Sequence, residues 1–227
     1  FYAGVEVDQF GSARALMGIN PFGFSWRLGP GEAFQTPEAV MVYSERGLQG
    51  MSHAYHELYR TRLCRGRHRD RPRPVLVNNW EATYFDFNEE KLLAIAERAQ
   101  AVGAELFVLD DGWFGRRDSD TCSLGDWTVD ERKLPGGLSG LAAKINALGL
   151  DFGLWVEPEM VSADSDLYRE HPDWCLHAPG RRRTEARNQL VLDLSRAEVC
   201  ERLEADLARV FSSAPVRYVK WDMNRNM

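Results

Sequence analysis

Asp222 stands at the end of a short apolar run, Val219-Lys220-Trp221-Asp222-Met223-Asn224-Arg225, with Lys, Trp, Asn and Arg around it. A carboxylate at the exit of a buried strand, with a cation two residues earlier, can serve as a nucleophile or a charge stabiliser. Other runs carry similar groups. Asp110-Asp111-Gly112-Trp113-Phe114-Gly115 sets two carboxylates before a glycine turn, and Leu154-Trp155-Val156-Glu157-Pro158-Glu159-Met160 joins a tryptophan to two glutamates. Trp80 follows Asn78-Asn79, and Arg187-Asn188-Gln189 leads into an apolar run over 190–195. Ionised carboxylates accept hydrogen bonds from hydroxyls. Tryptophan offers a flat apolar face while its N–H stays wet, which suits a pyranose ring. Together these groups could hold and cleave a polyol.

Each group also has a plainer reading. Asp110-Asp111 could close an Asx-type turn. A lone tryptophan is usually core, and Trp221, inside a strand, is expected to pack there. Arg187 could turn inward or belong to the solvated loop that holds Arg181, Arg182 and Arg183. The carboxylates could hold Mg²⁺, but the only nearby histidine is His171, and Trp155, Arg187, Lys220 and Trp221 suit a polyol pocket better. No metal and no cofactor are expected.

The elements that must position these groups follow from periodicity. Residues 1–45 are strand-like, with β-rich pieces at 1–7 and 40–43 punctuated by glycine and proline, as in an all-β region. Residues 47–63 carry apolar residues at helical spacing, and a basic, proline-containing stretch then reads as a solvated linker. From 74 onward the pattern becomes strand, helix, strand, helix. Strands are expected over 75–79, 105–109, 151–156 and 216–221. Helices are expected over 87–102 with Asn88 as cap, over 138–148, and over 196–211 with Ser195 as cap. Apolar strands alternating with helices predict a parallel α/β fold, either a (β/α)8 barrel or a doubly wound sheet. Charge at the C-terminal end of each later strand favours the barrel. No glycine follows the first strand, so a dinucleotide site is rejected.

The 227 residues carry a net charge of -6 and no basic stripe, which argues against nucleic acid. No apolar run approaches membrane-spanning length. Cys64, Cys122, Cys175 and Cys200 lack C-x-x-C pairing, so reduced thiols are expected and a cytoplasmic location fits them. The chain starts at Phe1 and stops soon after Asp222, so both ends look cut.

Five motifs, taken in order, resemble glycoside hydrolase family 36 α-galactosidases: Asn78-Asn79-Trp80-Glu81-Ala82, Asp110 to Gly115, Trp155 to Met160, Arg187 to Asp193, and Lys220 to Asn224. The resemblance covers nearly the whole chain. It implies an N-terminal β-sandwich that ends near 45, a helix and linker over 46–73, and the first four β/α units of a TIM barrel over 74–227. It further implies a retaining hydrolase of terminal α-galactosides such as melibiose and raffinose. Asp222 matches the family's nucleophile. Asp110 and Asp111 match carboxylates that bond galactose hydroxyls, and Trp155 matches a residue packing on the sugar. Arg187 and Lys220 match cations beside the pocket, Asn224 a hydrogen-bonding group near the 2-hydroxyl, and Trp80 a pocket wall. Glu157 and Glu159 receive no role. The family's acid/base lies on a later strand, so this piece alone is expected to be inactive and prone to aggregate. The expected partners are galactoside oligosaccharides, with neither nucleic acid nor membrane, and a homo-oligomeric parent is left open. Galactosyl transfer of the raffinose-synthase kind, α-N-acetylgalactosaminidase activity and a non-catalytic sugar-binding fragment remain as alternatives.

Overall fold

The computed structural model describes residues 1–225, so the last two positions of the expected 74–227 segment lie outside the described residues. The chain forms two compact units, Phe1–Pro72 and Arg73–Met227.

In the first unit, β1 (Tyr2–Val7) and β2 (Ala13–Gly18) pair antiparallel, Tyr2 opposite Gly18 and Val7 opposite Ala13. Asp8 closes the connection by accepting the Phe10 and Ser12 N–H groups on Oδ1. The strand expected at 40–43 does not form. Its backbone finds no partner strand, and the Val40 carbonyl instead accepts the Tyr55 hydroxyl at 3.0 Å. The helix expected over 47–63 divides into α1 (Gly47–Leu58) and a wider π turn over Tyr59–Leu63. Thr61 Oγ1 bonds the Glu57 carbonyl at 2.7 Å, competing with the regular ladder just where the helix loosens.

The second unit is built on a parallel sheet in the order β3 (Leu76–Asn78), β4 (Leu106–Leu109), β5 (Asp151–Val156), β8 (Val216–Trp221). Between β3 and β4 lie the short α2 (Trp80–Thr83) and α3 (Glu89–Ala101), and between β4 and β5 lies α4 (Gly137–Ala147). Between β5 and β8 come β6 (Met160–Val161), α5 (Asp166–Glu170), β7 (Leu190–Val191) and α6 (Ala197–Ser212). Asn88 caps α3 as expected, accepting the Lys91 N–H at 2.9 Å. Leu92, Ala96, Leu141, Ile145, Leu207 and Val210 carry the helices onto the core around Phe107, Phe152 and Leu154. α6 buries one stripe at helical spacing: Val199, Leu203, Leu207 and Val210.

One local expectation fails for an identifiable reason. Ser195 does not cap α6, because its hydroxyl and N–H both bond Asp193 Oδ1, at 2.6 and 3.1 Å. The apolar run at 190–195 pairs through Leu190 and Val191, which meet β6 in a separate two-stranded sheet, and through Leu192, which bridges Cys175. All four cysteines are free thiols. Among the described residues no helix is long and apolar enough to cross a membrane.

Candidate active site

The four parallel strands bring their C-terminal ends to one edge of the sheet. Asn78 is level with Val108, Leu109 with Leu154, Trp155 with Lys220, and Val156 with Trp221. Neighbours in register on a parallel sheet point to the same face. Asp110, one residue past Leu109, therefore falls in a row with Trp155 and Lys220. The Lys220 ammonium closes that row, reaching Asp110 Oδ2 at 2.8 Å. The Asn78 side-chain amide donates to the same oxygen.

Asp110 and Asp111 satisfy both readings of the pair. Asp110 Oδ1 accepts the Asp111 N–H at 2.9 Å, an Asx-like closure, while its other oxygen takes Lys220. Gly112 then turns the chain at φ +100°, where a Cβ would sit 3.1 Å from Phe85 and 3.2 Å from Phe87. Only glycine fits that turn comfortably. The turn frees Asp111 to meet Arg117, whose Nε and Nη2 each lie 2.9 Å from a different carboxylate oxygen. Arg117 is 1% exposed, so this fork is nearly dry. Burial pushes the Asp111 carboxyl above its ordinary value, and Arg117 only partly opposes that rise. Lys133 braces the loop from beneath, donating to the carbonyls of Gly112 and Arg117 at 3.0 and 2.9 Å.

Asp222 continues the β8 ladder, its N–H bonding the Val156 carbonyl at 2.8 Å. Oδ2 accepts Trp155 Nε1 and Asn224 Nδ2, both at 2.9 Å, and Oδ1 accepts the Met223 N–H at 2.9 Å. Partial burial works to raise its pKa. The donors of Trp155, Asn224 and Met223, with the Lys220 charge, outweigh burial and hold the carboxylate below its ordinary value.

Two sequence readings of tryptophan are corrected here. Trp155 does not offer a wet N–H and a free ring face. It is 1% exposed, stacked on Phe114 with centroids 6.1 Å apart, and its N–H is given to Asp222. Trp221 is not core. It is 54% exposed on the edge strand β8, and its N–H donates to Glu159 at 2.9 Å.

Arg187 occupies a two-residue hairpin turn. Ala186 and Gln189 exchange backbone bonds, and Arg187 and Asn188 take φ of +54° and +56°. This is the mirror-image turn that tight hairpins prefer. Left-handed backbone at a non-glycine residue costs on the order of 1 kcal/mol, a cost often found at ligand-facing turns.

All eight residues singled out from the sequence, Trp80, Asp110, Asp111, Trp155, Arg187, Lys220, Asp222 and Asn224, line one hollow of about 250 Å³. That is slightly under the range of roughly 300–1,000 Å³ typical of drug-sized ligands, so it has room for a single monosaccharide. Phe85, Arg117, Asp120, Glu157 and Gln189 complete the wall. Glu157 is fully buried, accepting Gln189 Nε2 at 3.0 Å and the Asn224 N–H at 2.5 Å, and burial raises its pKa against those donors. Arg117 was missed from the sequence because its neighbour Arg116 is exposed and nothing local separates the two. Among the described residues no group of three or more His, Cys, Asp or Glu side chains is placed to hold a metal ion.

Residues 33–227 match the Melibiase family. The chain is similar to α-galactosidase AgaA of Geobacillus stearothermophilus, 68% identical over 227 residues, which covers 100% of this chain and 31% of that protein. It is similar in structure to GH36 α-galactosidase AgaB of the same organism, with TM-score 0.97 and 68% identity over 99% of this chain and 31% of that one. A variant of AgaA solved with raffinose superposes with TM-score 0.96 at 68% identity, over 98% of this chain and 31% of that one. The chain thus spans about a third of the length of these relatives. With the family match extending over most of its length, the chain belongs to the melibiase family, within glycoside hydrolase family 36.

Proposed function

We propose that this chain is the nucleophile-bearing part of a retaining α-galactosidase that releases terminal galactose from oligosaccharides of the melibiose and raffinose type. One observation carries the reading. Asp222 sits at a sugar-sized hollow, held ionised by three N–H donors and a nearby ammonium, while Asp110, Asp111, Asp120 and Glu157 line the same space. The raffinose-bound relative supports the substrate class. We read the parallel sheet as the first four strands of a (β/α)8 barrel, whose chemistry lies at the C-terminal strand ends.

Asp222 attacks the anomeric carbon as a second carboxylic acid protonates the departing glycosidic oxygen. A covalent galactosyl ester forms on Asp222. The same second group, now a carboxylate, takes a proton from water as that water attacks the anomeric carbon and frees Asp222. Oδ1 carries one donor against two on Oδ2, so it keeps the freer lone pairs for attack. Asp110 is committed to Lys220, Asp111 to Arg117, and Glu157 to two amides; the family resemblance assigns the acid/base to a later strand of the barrel. Asp110 and Asp111 accept from galactose hydroxyls with their remaining lone pairs, and Trp80 walls the ring.

Raffinose hydrolysis by the full-length protein, followed by ¹H NMR, tests this reading. α-Galactose is expected as the first anomer. First-formed β-galactose would replace double displacement with a single inverting step, and the absence of galactose release would remove the activity altogether.

Trp155→Phe carries a signed pH prediction. It deletes one of the N–H donors that depress the Asp222 pKa. The nucleophile's pKa then rises, and the acid limb of kcat/KM moves to higher pH. A limb that stays in place or moves to lower pH would show that Trp155 does not tune Asp222.

A further inference from the structure

Glu157 stands at the hollow, yet the chemistry above gives it no task. Its side chain is fully buried, and its two described partners are amides. A carboxyl in such a place is costly, and an apolar side chain would fill the volume more cheaply. What it touches supplies a reason. β8 ends at Trp221, so no strand ladder holds the backbone of Asn224. Glu157 Oε1 does, accepting the Asn224 N–H at 2.5 Å. The side chain of Asn224 then donates to Asp222 Oδ2 at 2.9 Å. Asn224 therefore bridges two carboxyl groups, its N–H bonding Glu157 and its side chain reaching Asp222. The other oxygen of Glu157 holds Gln189, which closes the turn carrying Arg187.

We propose that Glu157 is a positioning residue that fixes Asn224, and through it the orientation of Asp222, to the end of β5. The proposal rests on the reading of Asp222 as nucleophile. Its effect falls on bond making rather than on sugar binding, because misplacing a reacting group by about 1 Å costs on the order of 10²-fold in rate.

Two variants of the full-length enzyme separate position from charge. Glu157→Met keeps the length of the side chain and removes both acceptors. Glu157→Gln keeps the network: its oxygen takes the Asn224 N–H, and its amide donates to Gln189 Oε1, which is buried without a partner in the native site, once the Gln189 amide turns over. With p-nitrophenyl α-galactoside, Glu157→Met is expected to lower kcat about 10²-fold with KM within about threefold. Glu157→Gln should stay within about fivefold of wild type in both constants, against that 10²-fold scale. Wild-type kcat in the Met variant, a loss carried by KM, or a Gln variant as impaired as Met would each overturn the proposal. Should the Met variant lose its melting transition, Glu157→Asp, one methylene too short to serve both partners, takes its place with the same expectation. Failure of the site reading is visible separately, as an inactive wild-type enzyme or an active Asp222→Ala variant.

Discussion

Asp222→Ala in the full-length protein is expected to lower kcat by about 10⁴- to 10⁶-fold, the scale seen when a covalent nucleophile is removed from a preorganised site. The fold should survive, because Asp222 is only partly buried and its donors, Trp155 Nε1 and Asn224 Nδ2, are left at the wall of an open hollow where water can replace the lost carboxylate. The space vacated by the carboxylate lies on the attacking side of the anomeric carbon. Azide entering that space should form β-galactosyl azide with an activated substrate, restoring turnover through a direct displacement. Mass spectrometry and NMR of the product check this. An alanine variant with near-normal turnover, or rescue that yields α-galactosyl azide, would move the nucleophile elsewhere.

The second large effect concerns stability. Arg117→Met leaves the Asp111 carboxylate nearly dry with its fork removed. Breaking a buried ion pair from one side costs about 3–5 kcal/mol. In the full-length protein that lowers the melting temperature by several degrees. The pH dependence has a definite sign. Burial already raises the Asp111 pKa, and losing Arg117 raises it further. An acid whose folded pKa is raised destabilises the fold above that value, and the penalty fades as the group takes up its proton. The deficit of Arg117→Met should therefore be largest near neutral pH and shrink as the pH falls through the raised Asp111 pKa. Asp111→Leu added to Arg117→Met should recover much of the stability without recovering sugar binding, since two apolar groups can replace a buried pair. Thermal melts between acid and neutral pH decide the matter. A single variant melting within 2 °C of wild type, or a deficit that grows on acidification, would show that the fork does little for the fold.

Much of this architecture was legible because burial and chemistry coincide along the chain. The apolar runs of β4 and β5 read as strands, and the charges that follow them read as a rim. The structure indeed brings Asp110, Trp155, Lys220 and Asp222 to one edge. What escaped was set by distant partners. Arg117 and Arg116 look alike in sequence, and only the carboxylate of Asp111, with Lys133 holding two carbonyls of the loop, turns one inward. Trp155 read as a sugar platform because its local company is polar. Phe114 and Trp127, brought in by the loop after β4, pack on its ring instead. Glu157 and Glu159 share a motif but part company at Pro158, where the strand alternation ends. The β-rich piece at 40–43 makes no strand, since β-rich composition cannot make one without a neighbour to pair with.

The bond from Trp155 Nε1 to Asp222 gives the molecule a built-in optical reporter. An indole whose N–H faces an anion emits differently from one facing a neutral ester, and under the proposed double displacement these are the free and galactosylated forms of a single side chain. Stopped-flow emission should rise or fall with the birth and decay of the covalent species, and Trp155→Phe should silence that transient while the other tryptophans continue to glow.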